Sequence, residues 1–567
     1  PLKIGRFGIG FNSVYHITDL PGIASGYKIA FFDPHEEHFK DEKGRGSSVT
    51  FFYFDDDLLQ EKTRDQFMPF QDVFGCDLHD SEGYEGTLFR FPLRKTASEL
   101  SAESYSEEKV LKLFDSLQTE ASVVLLFLKN ICSISLHKRS ENGETECIFK
   151  VEIAEDSRNE VMKKRQEFLS KATTKSMVLD LKYVMNVKVM KGLTTHEYRW
   201  LVVNQIGSNV SRISELATKE NLPPWIGMAL PLDNECDSME FDGRIFCFLP
   251  LPPDVDCETG LPVHVHGAFA LTDNRRGLVW PGADNQSSTA EWNKLLLLNV
   301  AVEVYSKLLH VLLQNSPSIG IDECSRSQLV YSTLPSKAKV KGHWQVILDP
   351  LFQKLSKEEW RLFLAQHTSG HSWVRLQDGI VDRLVDSNMR ETVIRAFLNC
   401  SETIITDIPA HVLDILDNHF PASRVITPGL MRSLLKTQHD LKASREDKIK
   451  LLEYILEDDP SHDLAGIPLL PLANQEFSTF MSNTYVEKPS MSVFIATATC
   501  PISVLPNFDH RFLSEDVPTM VKDKLQILGR EDLLTKNATQ LVLINKEIVL
   551  QNLPLCLPAE WFSNCNT

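Results

Sequence analysis

Residues 290–314, AEWNKLLLLNVAVEVYSKLLHVLLQ, read as one long helix that is apolar over most of its surface. Such a helix constrains everything around it, because so wide an apolar face has to be buried. Its longest apolar run, LLLLNVAV at 295–302, is far short of the ~20 residues that span a bilayer, so no membrane span is expected. Burial then has to come from the rest of the chain. With 567 residues, 43% hydrophobic and 24% charged, there is material for a sizeable core. The length suggests about three to five domains.

The pattern changes along the chain. Phe11, Val14 and Ile17 in residues 10–18 have helical spacing, and Asp19-Leu20-Pro21-Gly22 stops that helix. YKIAFF at 27–32, SVTFFYF at 48–54 and TLFRFPL at 87–93 read as strands. A helix at 106–119 follows, with Val110, Leu111, Leu113, Phe114 and Leu117 as its stripe. ICSISLHK and ECIFKVEIA form a hairpin across Asn142-Gly143. NEVMKKRQEFLSKA reads as an exposed helix, EYRWLVVNQ and RIFCFLPLP as strands, and GLPVHVHGAFAL alternates with period two. After 324 helices dominate, beginning with PLFQKLSKEEWRLFLAQ, and GIPLLPLANQEF interrupts them.

Charge and cysteines narrow the function. A net charge of -18 argues against a nucleic-acid or anionic-membrane surface, which wants clustered Lys and Arg. Eleven scattered cysteines, none in a CxxC pair, fit reduced thiols in a cytoplasmic protein. Pro1 is not a start methionine, so a fragment is expected, with any targeting peptide upstream.

The stretch Gly5-Arg6-Phe7-Gly8-Ile9-Gly10-Phe11 ends at a helix start. Glycines let the backbone approach a ligand closely, and helix-start N–H groups favour an anion. A glycine turn before a helix is also simply a turn. A P-loop is excluded because Phe11 stands where Lys would follow Gly10, and a dinucleotide fingerprint because no third glycine follows.

GRFGIGFNSVY resembles the second glycine box of the GHKL ATPases, the group that contains the ninety-kilodalton heat-shock chaperones and the type II topoisomerases. EGTLFRF at 85–91 resembles that family's Gly-Thr box. Longer strings, among them PLKIGRFGIGFNSVYHITDLP, FFDPHEEHF, GLPVHVHGAFALTDNRRGLVW and GIPLLPLANQEF, are similar to the Sacsin/Nov domain family, which shares the GHKL fold. The resemblance implies an α+β chain. Residues 1–97 would be the C-terminal half of a GHKL (Bergerat) ATP-binding domain, 98–315 a mixed α/β middle domain, and 316–567 a helix-rich extension. It implies ATP with its phosphates on Gly5, Phe7, Gly8, Ile9, Gly10 and Phe11 and its adenine near Thr87. By position it places Arg275 or Arg276 at the γ-phosphate. The alternative at Arg275-Arg276 is a turn whose arginines pair with local carboxylates such as Asp273.

The family's catalytic Glu, Mg²⁺-binding Asn and adenine-binding Asp come from elements that this sequence does not contain. No Glu-x-x-x-Asn-x-x-Asp string occurs, and Asp242-Gly243 and Asp378-Gly379 lack the second glycine. The expectation is therefore a chaperone or co-chaperone module whose ATP and Mg²⁺ site is completed elsewhere, with ATPase activity only if those elements exist in the parent protein. Client proteins and other heat-shock chaperones are the implied partners. The competing reading is a nucleotide-silent interaction scaffold. A DNA-acting GHKL enzyme is disfavoured by the acidic charge.

Other clusters read as structural. His264 and His266 share a strand face but have no fixed third ligand, and they read as the polar face of a half-buried strand. Asp33-Pro34-His35-Glu36-Glu37-His38 reads as a turn, and Asp55-Asp56-Asp57 as a solvated loop without EF-hand spacing. No metal site is expected. No Cys has a nearby His, and Gly-x-Ser-x-Gly is absent. Trp344, Trp360 and Trp373 are read as core packing in preference to a client-binding surface.

Overall fold

The computed structural model describes residues 9–40, 43–54, 64–80, 83–140, 142–172, 178–233, 241–252, 257–282, 287–314, 319–358, 360–385, 387–420, 423–437, 441–458, 464–481, 492–528 and 540–557. The fold is α+β. The chain forms two compact units, Pro1–Leu308 with Lys341–Trp344, and Leu309–Val340 with Gln345–Thr567.

The first unit opens with a short helix α1 (Ile9–Asn12) and a 3-10 turn over Ser13–His16, in place of the continuous helix expected to 18. Four antiparallel strands follow, β1 (Gly22–Gly26), β2 (Lys28–Phe32), β3 (Val49–Tyr53) and β4 (Tyr84–Arg90), in the order β3-β2-β1-β4. β1, GIASG, has too little apolar content to be legible as a strand, and it pairs on both sides. Ala24, Ile29, Phe31 and Phe52 fill one face together with Phe67, at the end of α2 (Arg64–Phe67), and Phe70, Cys76 and Leu78 beyond it.

Next come α3 (Glu107–Thr119) and an eight-stranded sheet. Its strands are β5 (Ser133–Arg139), β6 (Thr145–Ile153), β7 (Leu179–Lys191), β8 (Thr194–Ile206), β9 (Trp225–Pro231), β10 (Ile245–Cys247), β11 (Leu249–Pro250) and β12 (His264–Gly267), ordered β11-β10-β12-β9-β8-β7-β6-β5. The hairpin of β5 and β6 turns at Gly143, whose φ of 82° suits glycine. The stripe expected on α3 buries no residue completely; Leu111 and Leu113 face solvent. Helix α4 (Glu155–Ala172), expected to be exposed, buries Val161, Arg165 and Phe168 at helical spacing. Arg165 donates to the carbonyls of Leu125 (3.1 Å), Leu126 (2.9 Å) and Leu128 (2.6 Å) and to the Tyr183 hydroxyl (3.0 Å). A charged residue was doing a buried residue's work, which an apolar-spacing argument does not detect.

After α5 (Ser211–Glu220) comes the long apolar helix α6 (Ser288–Leu313), with a π turn at Leu297–Ala301. At 26 residues it is long and apolar enough to cross a membrane, but 67% of its most apolar window is buried inside the protein. Trp292, Asn293, Leu296, Leu297, Val300 and Tyr305 are all inaccessible to solvent.

The second unit contains α7 (Glu323–Thr333), α8 (Leu348–Lys357), α9 (Ser387–Asn399), α10 (Ala410–His419), α11 (Pro428–Thr437), α12 (Arg445–Ile455), α13 (Thr519–Leu528) and α14 (Lys546–Cys556). It also holds a five-stranded sheet that the helical reading missed: β13 (Phe363–His367), β14 (Gly370–Val374), β15 (Ile380–Val381), β16 (Ile404–Ile405) and β17 (Arg424–Val425), ordered β14-β13-β16-β15-β17. The helix expected over PLFQKLSKEEWRLFLAQ ends at Lys357, and Phe363–His367 pairs with β14 and β16 instead. Pairing outweighs helix propensity in that stretch.

His264 and His266 are not on a half-buried face: both are fully buried in β12. The Nδ1 of His264 accepts from the Arg244 N–H (3.1 Å), and that of His266 from the Phe248 N–H (3.2 Å). Burial, aided by the nearby Arg244 and Lys129 charges respectively, pushes each imidazole down to about 3. The unfolded chain, with histidines near 6.5, therefore binds more protons than the folded one between about pH 3 and 6.5. Stability from this source is full above about pH 6.5, falls by up to about 1.4 kcal/mol per histidine per pH unit as the pH drops through that window, and falls no further below it. In urea titrations from pH 7.5 to 4.5, the double variant H264N/H266N should show a flatter loss of stability than the parent chain.

Candidate functional site

The glycine-box and Gly-Thr segments come together on the first sheet. Gly5, Phe7 and Gly8 lie outside the described residues, as does the side chain of Ile9. Gly10 is exposed in α1, its carbonyl accepts from the Ser13 hydroxyl at 2.7 Å, and a Cβ there would meet nothing within 4 Å. Phe11 lies against Phe32 (ring centroids 4.9 Å apart) and near Phe89 (6.4 Å).

Strand register places Ile23, Ser25, Lys28, Phe51, Tyr53, Thr87 and Phe89 on one sheet face, because pleating sends alternate residues to opposite sides. The opposite face carries the core. The face shared by Phe11 and Thr87 is open: Phe51 is 64% exposed, and Tyr53 and Phe89 are each 53% exposed. Thr87 lies opposite Ser25, with hydroxyls 3.1 Å apart, and the Ser25 hydroxyl also donates to the Gly86 carbonyl (2.9 Å). Gly86 is needed here because a Cβ would meet the Tyr84 ring at 2.6 Å. The surface is therefore a pair of hydroxyls among aromatic rings, able to combine stacking with directional hydrogen bonds. Ser25 was not foreseen, since its strand was not.

Arg94 holds the segment after α1 against the end of this sheet. Its side chain is almost wholly buried, donating through Nε (2.8 Å) and Nη2 (2.5 Å) to the Asp19 carboxylate and to the carbonyls of Tyr15 (2.5 Å), His16 (3.1 Å) and Thr18 (3.3 Å). These are the carbonyls that the 3-10 turn leaves free, and a guanidinium satisfies such groups well. Burial acts to raise the Asp19 carboxyl, but hydrogen bonds from Arg94 and Ser98 and the Arg94 charge outweigh it and hold the group below the usual carboxylate range. Only the string PLR after a strand stood in the sequence at this position, with no pattern to single it out.

Arg275 and Arg276 lie on a different element, an exposed turn between Leu271 and Leu278. The Arg275 N–H donates to the Thr272 carbonyl (2.8 Å), the Arg276 N–H to Asn274 Oδ1 (3.0 Å), and Arg275 has a φ of 58°. Buried Asn293 of α6 sets the base of this turn. Its Oδ1 accepts from the Ala270 N–H, and its Nδ2 donates to the carbonyls of Ala270 and Val279, all at 2.8 Å. An Asn inside an apolar helix was the available signal for this role.

The remaining clusters are structural. Asp33 is buried and accepts from the N–H groups of His38 (2.6 Å) and Phe39 (3.4 Å). Asp55-Asp56-Asp57 lies outside the described residues. Among the described residues no group of three His, Cys, Asp or Glu is placed to hold a metal ion. Trp344 is buried against Trp280 and Phe269, Trp373 lies under Arg326, and Trp360 lies beside His310.

A family model described as Sacsin domain matches residues 1–149. Human (Homo sapiens) sacsin is 34% identical over 582 residues, an alignment that covers 96% of this chain and 12% of that protein. The chain thus spans about an eighth of the length of the curated relative it matches.

Replacing Arg94 by Met leaves the Asp19 carboxylate and several carbonyls without their donor. A cost of about 3–5 kcal/mol is expected for breaking a buried ion pair. Amide exchange over residues 9–19 should accelerate more than exchange in β7 and β8, and equal acceleration everywhere would contradict the local role.

Proposed function

We propose, from the premise that this chain is sacsin-like along almost its whole length, that it is a chaperone or co-chaperone module whose first sheet takes part in nucleotide-gated movement of the glycine-box segment. One observation carries the reading. Phe11, from the glycine box, and Thr87, from the Gly-Thr strand, face the same open sheet surface although they are far apart in sequence. The Ser25 and Thr87 hydroxyls suit a purine edge, and Phe89 and Phe11 suit stacking. Arg94 fixes the far end of the segment, leaving the glycine end as the part that responds to phosphate. Arg275 or Arg276 is proposed to stabilise the closed state by pairing with phosphate, which a planar guanidinium does in bidentate fashion.

ATP and Mg²⁺ belong to the proposal for the parent protein. The described residues present hydroxyls and rings that fit a base, but no acidic set that fits the metal, so no hydrolytic step is assigned to this chain. Client proteins and heat-shock chaperones are the proposed partners, in the cytoplasm. The second reading, a nucleotide-silent scaffold, draws on the same open face, where exposed Phe51, Tyr53 and Phe89 offer apolar contact to protein.

Two measurements test these readings, the first expected under both and the second separating them. Purified chain 1–567 should show no Mg²⁺-dependent ATP turnover. In the parent protein, ATP should raise the melting temperature and slow amide exchange over 9–19 and 84–90, with Thr87→Val weakening binding several-fold, as expected for one lost hydrogen bond of about 1 kcal/mol. If ATP leaves both melting and exchange unchanged, the scaffold reading stands.

A further inference from the structure

The second unit carries a cleft that has no part in the reading above. It has a volume of about 760 Å³, within the range of small-ligand sites. Its position follows from topology. β15 is parallel to β16 on one side and to β17 on the other. The chain runs from β15 through α9 to β16, then through α10 across β15 to β17. Right-handed crossovers send those two helices to opposite faces of the sheet. Core packing agrees: Val393, Ala396 and Phe397 of α9 share a core with α12, whereas α10 packs on α8. Neighbouring strands β15 and β16 therefore have connections that part in opposite directions at their carboxyl ends. Open α/β sheets bind ligands in the crevice that such a switch point leaves. The cleft is lined by residues 382–385, just after β15, by 407–408, just after β16, and by one face of α9.

Three guanidiniums converge there. Arg390 spans Asp382 (2.5 Å) and Asp407 (2.9 Å), Arg395 spans Glu391 (2.6 Å) and Asp447 (3.3 Å), and Arg383 makes a two-pronged contact with Asp417 (3.1 and 2.6 Å). The partners differ in kind. The Asp382 and Asp447 side chains are largely buried, 2% and 20% exposed, and anchor Arg390 and Arg395, while those of Asp407 and Glu391 are each 78% exposed. Exposed ion pairs contribute little, about 0–1 kcal/mol, so these outer carboxylates exchange readily for a ligand anion. The Nε of Arg383 is buried and has no hydrogen-bond acceptor. A ligand that takes over the arginines frees Asp407 and Glu391 to accept from hydroxyl groups.

We propose that this cleft binds a small phosphorylated polyol, with the phosphate on Arg383, Arg390 and Arg395 and the hydroxyls on Asp407 and Glu391. Phosphate suits forked guanidinium donors, and ionised carboxylates are acceptors only, which suits hydroxyls. The proposal stands independently of the nucleotide reading of the first sheet.

The test is calorimetric titration of the 567-residue chain with ribose 5-phosphate, inorganic phosphate, ribose and citrate. Ribose 5-phosphate should bind at least tenfold tighter than any of the other three. Arg383→Gln should weaken it at least tenfold, and Arg390→Lys, which keeps the charge but loses the fork, should do the same with the melting temperature preserved. Thr87→Val should leave it unchanged, separating this site from the one on the first sheet. Equal binding of inorganic phosphate, tighter binding of citrate, no saturable binding, or binding indifferent to both arginine variants would each overturn the proposal.

Discussion

The first unit is organised around the burial of α6. A helix with so wide an apolar face is stable in water only if other elements cover that face, and residues 288–308 find that cover within this unit. The polar groups on that part of the helix then become fixed points, because each needs a partner where water is excluded. Trp292 donates to the Ala268 carbonyl at 3.0 Å, Asn293 binds both sides of the turn that carries Arg275 and Arg276, and Lys307 reaches Asp180 and Gln205. Burial thus determines where the helix lies, and its few polar side chains determine what hangs from it.

Buried arginines solve a second problem in the same unit. Short helices and turns end with unpaired carbonyls, and a buried end needs donors. Arg94 supplies them after the glycine-box turn, and Arg165 supplies them to the 125–128 segment. Each replaces several weak contacts by one rigid, forked group. At Arg94 this ties residues 15–19 to the segment that follows β4.

Much of this architecture was legible. The β5–β6 hairpin was marked by apolar alternation around Asn142-Gly143, and α6 by its run of leucines, because both signals are local. The strands β1, β13, β15, β16 and β17 were not. GIASG has almost no apolar pattern, and two-residue strands such as Ile380–Val381 have no periodicity to read; such segments become strands through the neighbours they pair with. The site divides in the same way. The glycine box and Thr87 were visible as strings, while Ser25, Arg94 and Asn293, which pair with Thr87, anchor the segment and support the arginine turn, were not.

The sequence by itself determined the family likeness, the long apolar helix and the glycine-rich string at 5–11, since each is written in contiguous residues. Only the tertiary structure decided that Phe11 and Thr87 share an open face, that His264 and His266 are buried and neutral, and that Asp382 and Asp407 meet around Arg390. Those facts depend on strand register, burial and crossover topology. All three are properties of distant segments brought together, and no local stretch of chain encodes them.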